Sequence, residues 1–314
     1  MRSWRSCTSS TIYRRGQKIE NKFSIFAVLL RNSRRKEAFA KAKAKERMKK
    51  YFAFFRLRFL TGLQYRVAAF SGIITQFVWG ALLILGYQAF YRSEPEAFPM
   101  TFQATATYIW LQQAFLMLFQ PWGFENEIFE SIRSGAVAYE LCRPLSMYSM
   151  WFSRTAARRF SQVLLRCFPV LILGALLPAP YGIAPPAGIL PLLLSVFSLI
   201  LGTMVGVAFC MIIYFSAFFT VSVEGTRAIA ASLIELLQGA VIPIPFLPDG
   251  FRQVAEILPF ASMMNTPLRI YAGDIVGGEI LRTVALQVFW AVALIFAGKL
   301  MERSAMKRTV VQGG

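Results

Sequence analysis

Long runs of uncharged, mostly apolar residues limit what this chain can fold into. Residues 67–90 and 100–120 carry no charged side chain, and none occurs between Arg166 and Glu224. An α-helix rises about 1.5 Å per residue, so roughly 20 apolar residues cross the hydrocarbon core of a bilayer. The chain is 56% hydrophobic and 16% charged, with a mean hydropathy of +0.50. This composition is unlike that of soluble domains and predicts an all-α membrane protein.

Prolines and glycines divide the apolar runs into six predicted transmembrane helices. The run after Arg166 is too long for one crossing, and it is broken by helix-disrupting residues. These are Pro178, Pro180, Gly182, Pro185, Pro186, Gly188 and Pro191. The six predicted spans are about residues 67–90, 100–120, 160–177, 189–219, 228–242 and 281–298.

Residues 49–66 combine apolar and basic side chains at helical spacing. Apolar residues three and four apart, with cations between them, are typical of a helix in the membrane interface. We therefore predict an N-terminal interfacial helix that carries Arg56, Arg58 and Arg66 beside anionic headgroups.

The distribution of arginine and lysine predicts the orientation in the membrane. The segments before the first span, between the second and third, and after the sixth are basic, whereas the loop at residues 178–188 has no charge. Because short cytoplasmic loops carry the excess of Lys and Arg, the N and C termini are predicted to be cytoplasmic. Between the fifth and sixth spans, repeated prolines predict short re-entrant helices in the outer leaflet, since irregular backbone there must be buried in protein or face water.

Residues 1–47 differ from the rest of the chain. Most of the formal net charge of +18 lies in the first 50 residues. We interpret residues 1–47 as a basic extension, which is either disordered or precedes a natural start at Met48. An RNA- or lipid-binding arm is the alternative. Residues 307–314 are predicted to form a short cytoplasmic tail.

The sequence contains few groups that could carry catalysis. It has no histidine, and its four cysteines, Cys7, Cys142, Cys167 and Cys210, show no C-x-x-C spacing. These features argue against metal sites, redox pairs and most hydrolytic chemistry. The phosphate-binding motif G-x-x-x-x-G-K-[ST] does not occur. We expect a non-enzymatic chain without catalytic residues, a metal, a cofactor or an ATPase site of its own.

The segment at residues 123–159 is polar although it lies between two apolar spans. Phe124, Ile128, Phe129 and Ile132 recur at helical spacing and predict one apolar helix face, which the glutamates and Arg133 complete with charge. Gly135 stands where such a helix needs a left-handed cap. Two interpretations are open, a solvated loop on the headgroups or a docking surface for a soluble partner.

Two features inside the spans are candidates for a role. Glu235 lies about two turns into the fifth span, and an ionisable group at that depth is costly unless it is paired or hydrated. With Gln238 it could line a translocation path or make a structural hydrogen bond. Gly202 and Gly206, four residues apart, would allow close helix packing.

Two segments together resemble a known family. They are ESIRSGAVAYELCRPL in the polar loop and GAVIPIPFLPDGFRQVAEILPF, followed by TPLRIYAGDI, after the fifth span. With the six spans they resemble the ABC-2-type permeases, in particular a bacterial branch long described as a domain of unknown function. The resemblance covers about residues 48–306, the predicted permease domain.

The resemblance implies the transmembrane subunit of an ATP-binding-cassette exporter in the bacterial cytoplasmic membrane. Its implied partners are a second permease subunit, identical or different, the surrounding lipids, and a cytoplasmic ATPase dimer that binds ATP and magnesium; no nucleic acid is implied. The cargo would be hydrophobic or amphipathic, and lipid-like, peptide and drug-like molecules remain open. An ion-coupled carrier or a membrane-embedded enzyme that uses Glu235 is the alternative function.

The resemblance also assigns candidate residues by position. The loop that contacts the ATPase would contain Glu125, Glu130, Arg133, Gly135, Glu140, Arg143 and Pro144. The outer gate would contain Pro243, Pro245, Phe246, Pro248, Pro259 and Phe260.

Overall fold

The computed structural model describes residues 45–46, 48–64, 66–93, 98–120, 123–143, 145–220 and 222–308. It divides into two units, Met1–Phe52 and Ala53–Gly314. Almost all of the predicted extension at residues 1–47, the end of the tail and Pro144 lie outside the described residues. In the first unit, Lys50 pairs with Glu46 at 2.9 Å.

Among the described residues the regular secondary structure is helical throughout, without a β-strand. Helix α1 comprises residues 48–62, where the interfacial helix is predicted. Helices α2 to α13 are, in order, Arg66–Ser93, Phe102–Ala114, Leu116–Phe119, Asn126–Arg133, Val137–Leu141, Met147–Leu176, Ile189–Ser216, Val223–Leu237, Asp249–Ile257, Pro259–Met263, Asn265–Ala272 and Gly278–Arg308. A 3-10 turn at Ile244–Phe246 precedes α10.

Four helices are long and apolar enough to cross a membrane, which confirms a multi-pass, helical membrane protein. They are Ala69–Ser93, Met147–Leu176, Ile189–Ser216 and Gly278–Lys307. These ranges contain most of the first, third, fourth and sixth predicted spans. Helix α7 begins 13 residues before the predicted span because Ser146 caps it by accepting a hydrogen bond from the Ser149 N–H at 3.4 Å.

The other two predicted spans are occupied by shorter helices. The region 100–120 is divided between α3 and α4, because the backbone leaves the helical conformation at Phe115. Helix α9 has 15 residues and ends at Leu237. The chain turns at Gly239, where φ is +83°, and α3 binds the turn: Tyr108 donates to the Gly239 carbonyl and Gln112 to the Ala240 carbonyl. Six crossings remain a prediction.

Aromatic side chains form the core at both ends of the helix bundle. At one end Trp151 of α7 stacks on Phe215 of α8, with ring centroids 5.0 Å apart. At the other end Phe246 contacts Tyr87 and Phe98, at 5.6 and 5.5 Å. The bundle therefore has two separately packed ends, and the polar segment at residues 123–146 belongs to the first.

The proline-rich segment after α9 forms the short helices α10, α11 and α12, as the sequence predicts. Pro259 begins α11, and Phe260 packs edge-on against Phe209 of α8 at 5.3 Å. Pro259, Phe260 and Met263 are buried. The backbone of α11 is thus surrounded by protein, as membrane-embedded loops require, whereas much of α10 is exposed. Re-entry of the segment into the outer leaflet remains a prediction.

Of the two spaced glycines on α8, only one lies against backbone. A Cβ atom built at Gly202 would be 2.3 Å from the carbonyl oxygen of Met263 in α11. One built at Gly206 would find its nearest atom, on Arg159, at 3.5 Å, which is an ordinary contact. Close approach of α8 and α11 therefore depends on Gly202.

We expect Gly202→Ala to reduce the free energy of unfolding by about 1–3 kcal/mol, since the added methyl group overpacks a rigid contact. Gly206→Ala, on the same helix, is the control. It should be neutral or stabilise by up to about 1 kcal/mol, because alanine favours the helix. Thermal unfolding in detergent measures both, and equal shifts for the two variants would contradict the assigned contact.

Candidate functional site

The segment at residues 123–146, named the polar loop here, joins α4 to α7 and contains α5 and α6. Its first helix, α5, and the residues just before it are amphipathic as predicted: Phe124, Ile128 and Phe129 are buried, while Glu130 and Arg133 are exposed. Gly135 has a φ of +74°, which confirms the left-handed position after α5. The loop thus has an inner apolar face and an outer charged face.

The apolar face of α5 is fixed to α8 and α9. The Tyr214 hydroxyl of α8 accepts a hydrogen bond from the Glu125 backbone N–H at 2.8 Å. The Arg227 guanidinium of α9 lies over the rings of Phe129 and Phe124, at 4.9 and 5.9 Å from the centroids. Such cation–π contacts add electrostatic attraction to the aromatic packing.

Below the loop, Arg154 of α7 forms a buried ion pair. Its Nε atom is 2.9 Å from Oε2 of Glu125, and both side chains are only 8% exposed. A second glutamate, Glu127, also binds this guanidinium, but its side chain is 75% exposed. The sequence pattern placed Glu125 on the charged outer face, whereas the structure places it inside, because the buried Arg154 requires a carboxylate partner.

The second helix of the loop is tied to the same core. Glu140 of α6 accepts a hydrogen bond of 2.6 Å from the indole N–H of Trp151. Trp151 is completely buried and stacks on Phe215. Glu140 therefore connects α6 to α7 and α8 through a buried aromatic side chain.

The end of the loop is bound by the last helix. One oxygen of Glu302, on α13, accepts hydrogen bonds from the Tyr148 N–H at 2.8 Å and the Ser146 hydroxyl at 3.2 Å. Glu302 is not among the residues predicted from the sequence. Its only sequence signal is an acid within an otherwise basic C-terminal segment.

The outer face of the loop is accessible and chemically mixed. Arg133 pairs with Glu224 at 3.1 Å, but both side chains are more than half exposed, and such pairs contribute roughly 0–1 kcal/mol. Arg143 is exposed, and so are two apolar residues that the sequence analysis missed, Tyr139 at 79% and Leu141 at 40%. They lie outside the periodic apolar face of α5, and only their exposure in the fold distinguishes them.

The other predicted residues lie apart from the polar loop. Glu235 is half-buried on α9, and Gln238 is buried directly after that helix. On α1, Arg56 is exposed and Arg58 half-buried, while the Arg66 side chain lies outside the described part.

The predicted gate residues are mostly internal. Pro243 and Pro245 are buried, and Phe246 is half-buried against Tyr87 and Phe98. Pro248 is exposed.

A second charged group holds the short helices near α12. Arg269 contacts Asp274 at 2.5 Å and Glu256 at 2.8 Å. Burial acts to lower the pKa of Arg269, but the two carboxylates outweigh it and raise the pKa above its ordinary value. This cluster, which the sequence analysis missed, fixes the register of α10 against α12.

Comparison with known proteins places the polar loop within a family region. A family model described as ABC-2 family transporter protein matches residues 77–313, which include α3 through α13. Comparisons with curated proteins and with solved structures gave no match.

The buried pair predicts unequal roles for two neighbouring glutamates. Glu125→Gln should lower the free energy of unfolding by about 3 kcal/mol, since it leaves the buried Arg154 undercompensated. Glu127→Gln removes the exposed partner of the same arginine and should cost less than about 1 kcal/mol. Unfolding by SDS titration in mixed micelles compares them, and a larger loss for Glu127→Gln would disprove the assignment.

Proposed function

This chain belongs to the ABC-2 transporter family, and we propose that it is the permease subunit of an exporter driven by a separate ATPase. The observation that carries the proposal is the polar loop. It presents an exposed charged and aromatic face, while its inner face is bonded to α7, α8, α9 and α13. A surface of this kind can receive a mechanical input and pass it to helices that cross the membrane.

We place ATP and magnesium on a cytoplasmic ATPase dimer, since the chain contains no phosphate-binding motif of the P-loop type. Arg154, Arg158 and Arg159 follow the polar loop on α7, and further basic residues lie at the C-terminal end of α13. These cations support a cytoplasmic position for this end of the bundle. The chain would then be a multi-pass protein of the bacterial cytoplasmic membrane, with both termini inside.

The contacts of the loop define a transmission route. When the ATPase subunits close around ATP, the outer face of α5 and α6 moves with them. The Glu140–Trp151 hydrogen bond and the Glu125–Arg154 pair carry that movement into α7. Trp151 passes it to α8 through Phe215.

Cargo would cross between this subunit and a second permease. We assign Glu235 and Gln238 to the translocation path. The segment from Pro243 to Phe260 is the outer gate, where Phe246 closes against Tyr87 and Phe98. The apolar character of this gate favours a hydrophobic or amphipathic cargo that leaves the cytoplasm or the inner leaflet.

The first test concerns docking. Tyr139→Ala and Arg143→Glu should each weaken ATPase binding at least about ten-fold, because aromatic and arginine side chains dominate the energy of interfaces. The ATPase retained by the tagged permease after mild solubilisation measures this effect. Arg92→Glu is the matched control, as it reverses an exposed charge at the far end of α2.

Equal ATPase retention by Arg143→Glu and the wild type would argue against the assigned surface. Purification of ATP-driven transport activity from this polypeptide alone would exclude a separate motor.

The second test concerns transmission after docking. Trp151→Phe keeps the aromatic ring but removes the N–H that binds Glu140, a hydrogen bond to a charged group that contributes roughly 1.5–3 kcal/mol. The ATPase should stay bound while its stimulation by the permease falls several-fold. Trp290→Phe is the control, because it removes an indole N–H that binds the Ile257 carbonyl at the other end of the bundle. An equal fall in both variants would contradict the route.

A further inference from the structure

A cavity of about 470 Å³ lies beside the polar loop, between α1, α2, α7 and the start of α5. Its volume is within the roughly 300–1,000 Å³ typical of small-ligand sites. Residues of four helices line it, among them Arg58 of α1, Ala69 of α2, Glu127 of α5 and Arg158 of α7. The transmission route described above shares Glu125 and Arg154 with this wall, but it does not use Arg58, Arg158 or Arg166.

The cavity wall is basic. Four arginines, Arg58, Arg154, Arg158 and Arg166, face it together with two glutamates, Glu125 and Glu127. Arg154 already binds both glutamates. Arg158 is 39% exposed and only 3.9 Å from Glu125, and Arg58 is half-buried. The wall therefore keeps an excess of two positive charges, which an anion inside the cavity would balance.

Two glycines shape this wall. A Cβ atom at Gly72 of α2 would lie 2.5 Å from the guanidinium carbon of Arg166, and one at Gly62 of α1 would lie 2.1 Å from the Ser161 hydroxyl. The absence of side chains at these positions lets α1 and α2 lie directly on the arginine-bearing side of α7. The arginines are thereby held at the cavity and not displaced by helix packing.

The cavity borders an apolar surface. Phe168 and Ile172 lie about one and two helical turns after the lining residue Leu165 on α7, and they are 57% and 58% exposed. Ile73, one turn after the lining residue Ala69 on α2, is half-buried. A charged recess next to exposed apolar side chains on membrane-crossing helices matches an amphiphile with an anionic head and hydrocarbon chains.

We propose that this cavity binds the phosphate headgroup of an anionic phospholipid, with the acyl chains along α2 and α7. Guanidinium groups match phosphate geometry because they can donate two parallel hydrogen bonds. Basic recesses between transmembrane helices are known to hold anionic headgroups. The site requires only that the chain spans a membrane, so it is independent of the proposed ATPase partner.

Binding is measured on delipidated full-length protein in neutral detergent, by native mass spectrometry and thermal unfolding. The probes are phosphatidylglycerol, phosphatidylcholine and inorganic phosphate. Phosphatidylglycerol should bind and raise the unfolding temperature more than either other probe. Arg58→Gln and Arg158→Gln should each weaken its binding about ten-fold, the loss expected for one charge-assisted contact.

Arg56→Gln is the matched control, because it removes the same charge from the same helix at an exposed position. At 0.15 M salt it should change phosphatidylglycerol affinity by no more than about two-fold, since exposed distant charges are screened. If Arg158→Gln does not fold, Arg58→Gln on the peripheral helix decides the outcome.

Three results would overturn the site. Equal binding of phosphatidylglycerol and phosphatidylcholine would show that the headgroup charge is not recognised. Equal losses for Arg56→Gln and Arg58→Gln would show diffuse attraction to the helix. Inorganic phosphate that binds as well as phosphatidylglycerol would identify a free anion as the ligand.

Discussion

The buried pairing of Arg154 with Glu125 is the constraint on which this end of the molecule depends. A buried guanidinium needs a carboxylate nearby, and this one obtains it from the chain just before α5. The start of the polar loop is therefore pulled into the bundle. Phe124 and Phe129 then meet Tyr214 and Arg227, and the remaining charges of α5 face outward.

At both ends of the helix bundle, polar groups bind partners from distant parts of the chain. Glu302 holds the start of α7, and Arg269 joins α10 to the end of α12. Between these ends α8 is the central helix. In its most apolar stretch of 18 residues, 56% of the residues are buried, against 22% for α2 and 17% for α13. The outward faces of α2 and α13 are thus available to lipid or to a second subunit.

Sequence periodicity predicted much of the candidate site. The apolar face of α5 and the turn at Gly135 are local features, determined by residues a few positions apart. Glu125, Tyr139 and Glu302 were placed wrongly or missed, since their roles depend on partners 29 to 154 residues away or on exposure in the fold. No local pattern distinguishes a buried glutamate from a solvated one.

The sequence by itself determined a helical membrane protein, because charge-free runs of about 20 residues have no stable alternative in water. It also determined where the chain becomes polar, and its motifs resembled the correct family. Only the tertiary structure decided that α9 ends at Leu237 before the turn at Gly239, which of two glycines on α8 contacts backbone, and which glutamate is buried with Arg154. Helix formation depends on neighbouring residues, whereas helix ends and buried charge pairs depend on contacts that form only when distant segments pack together.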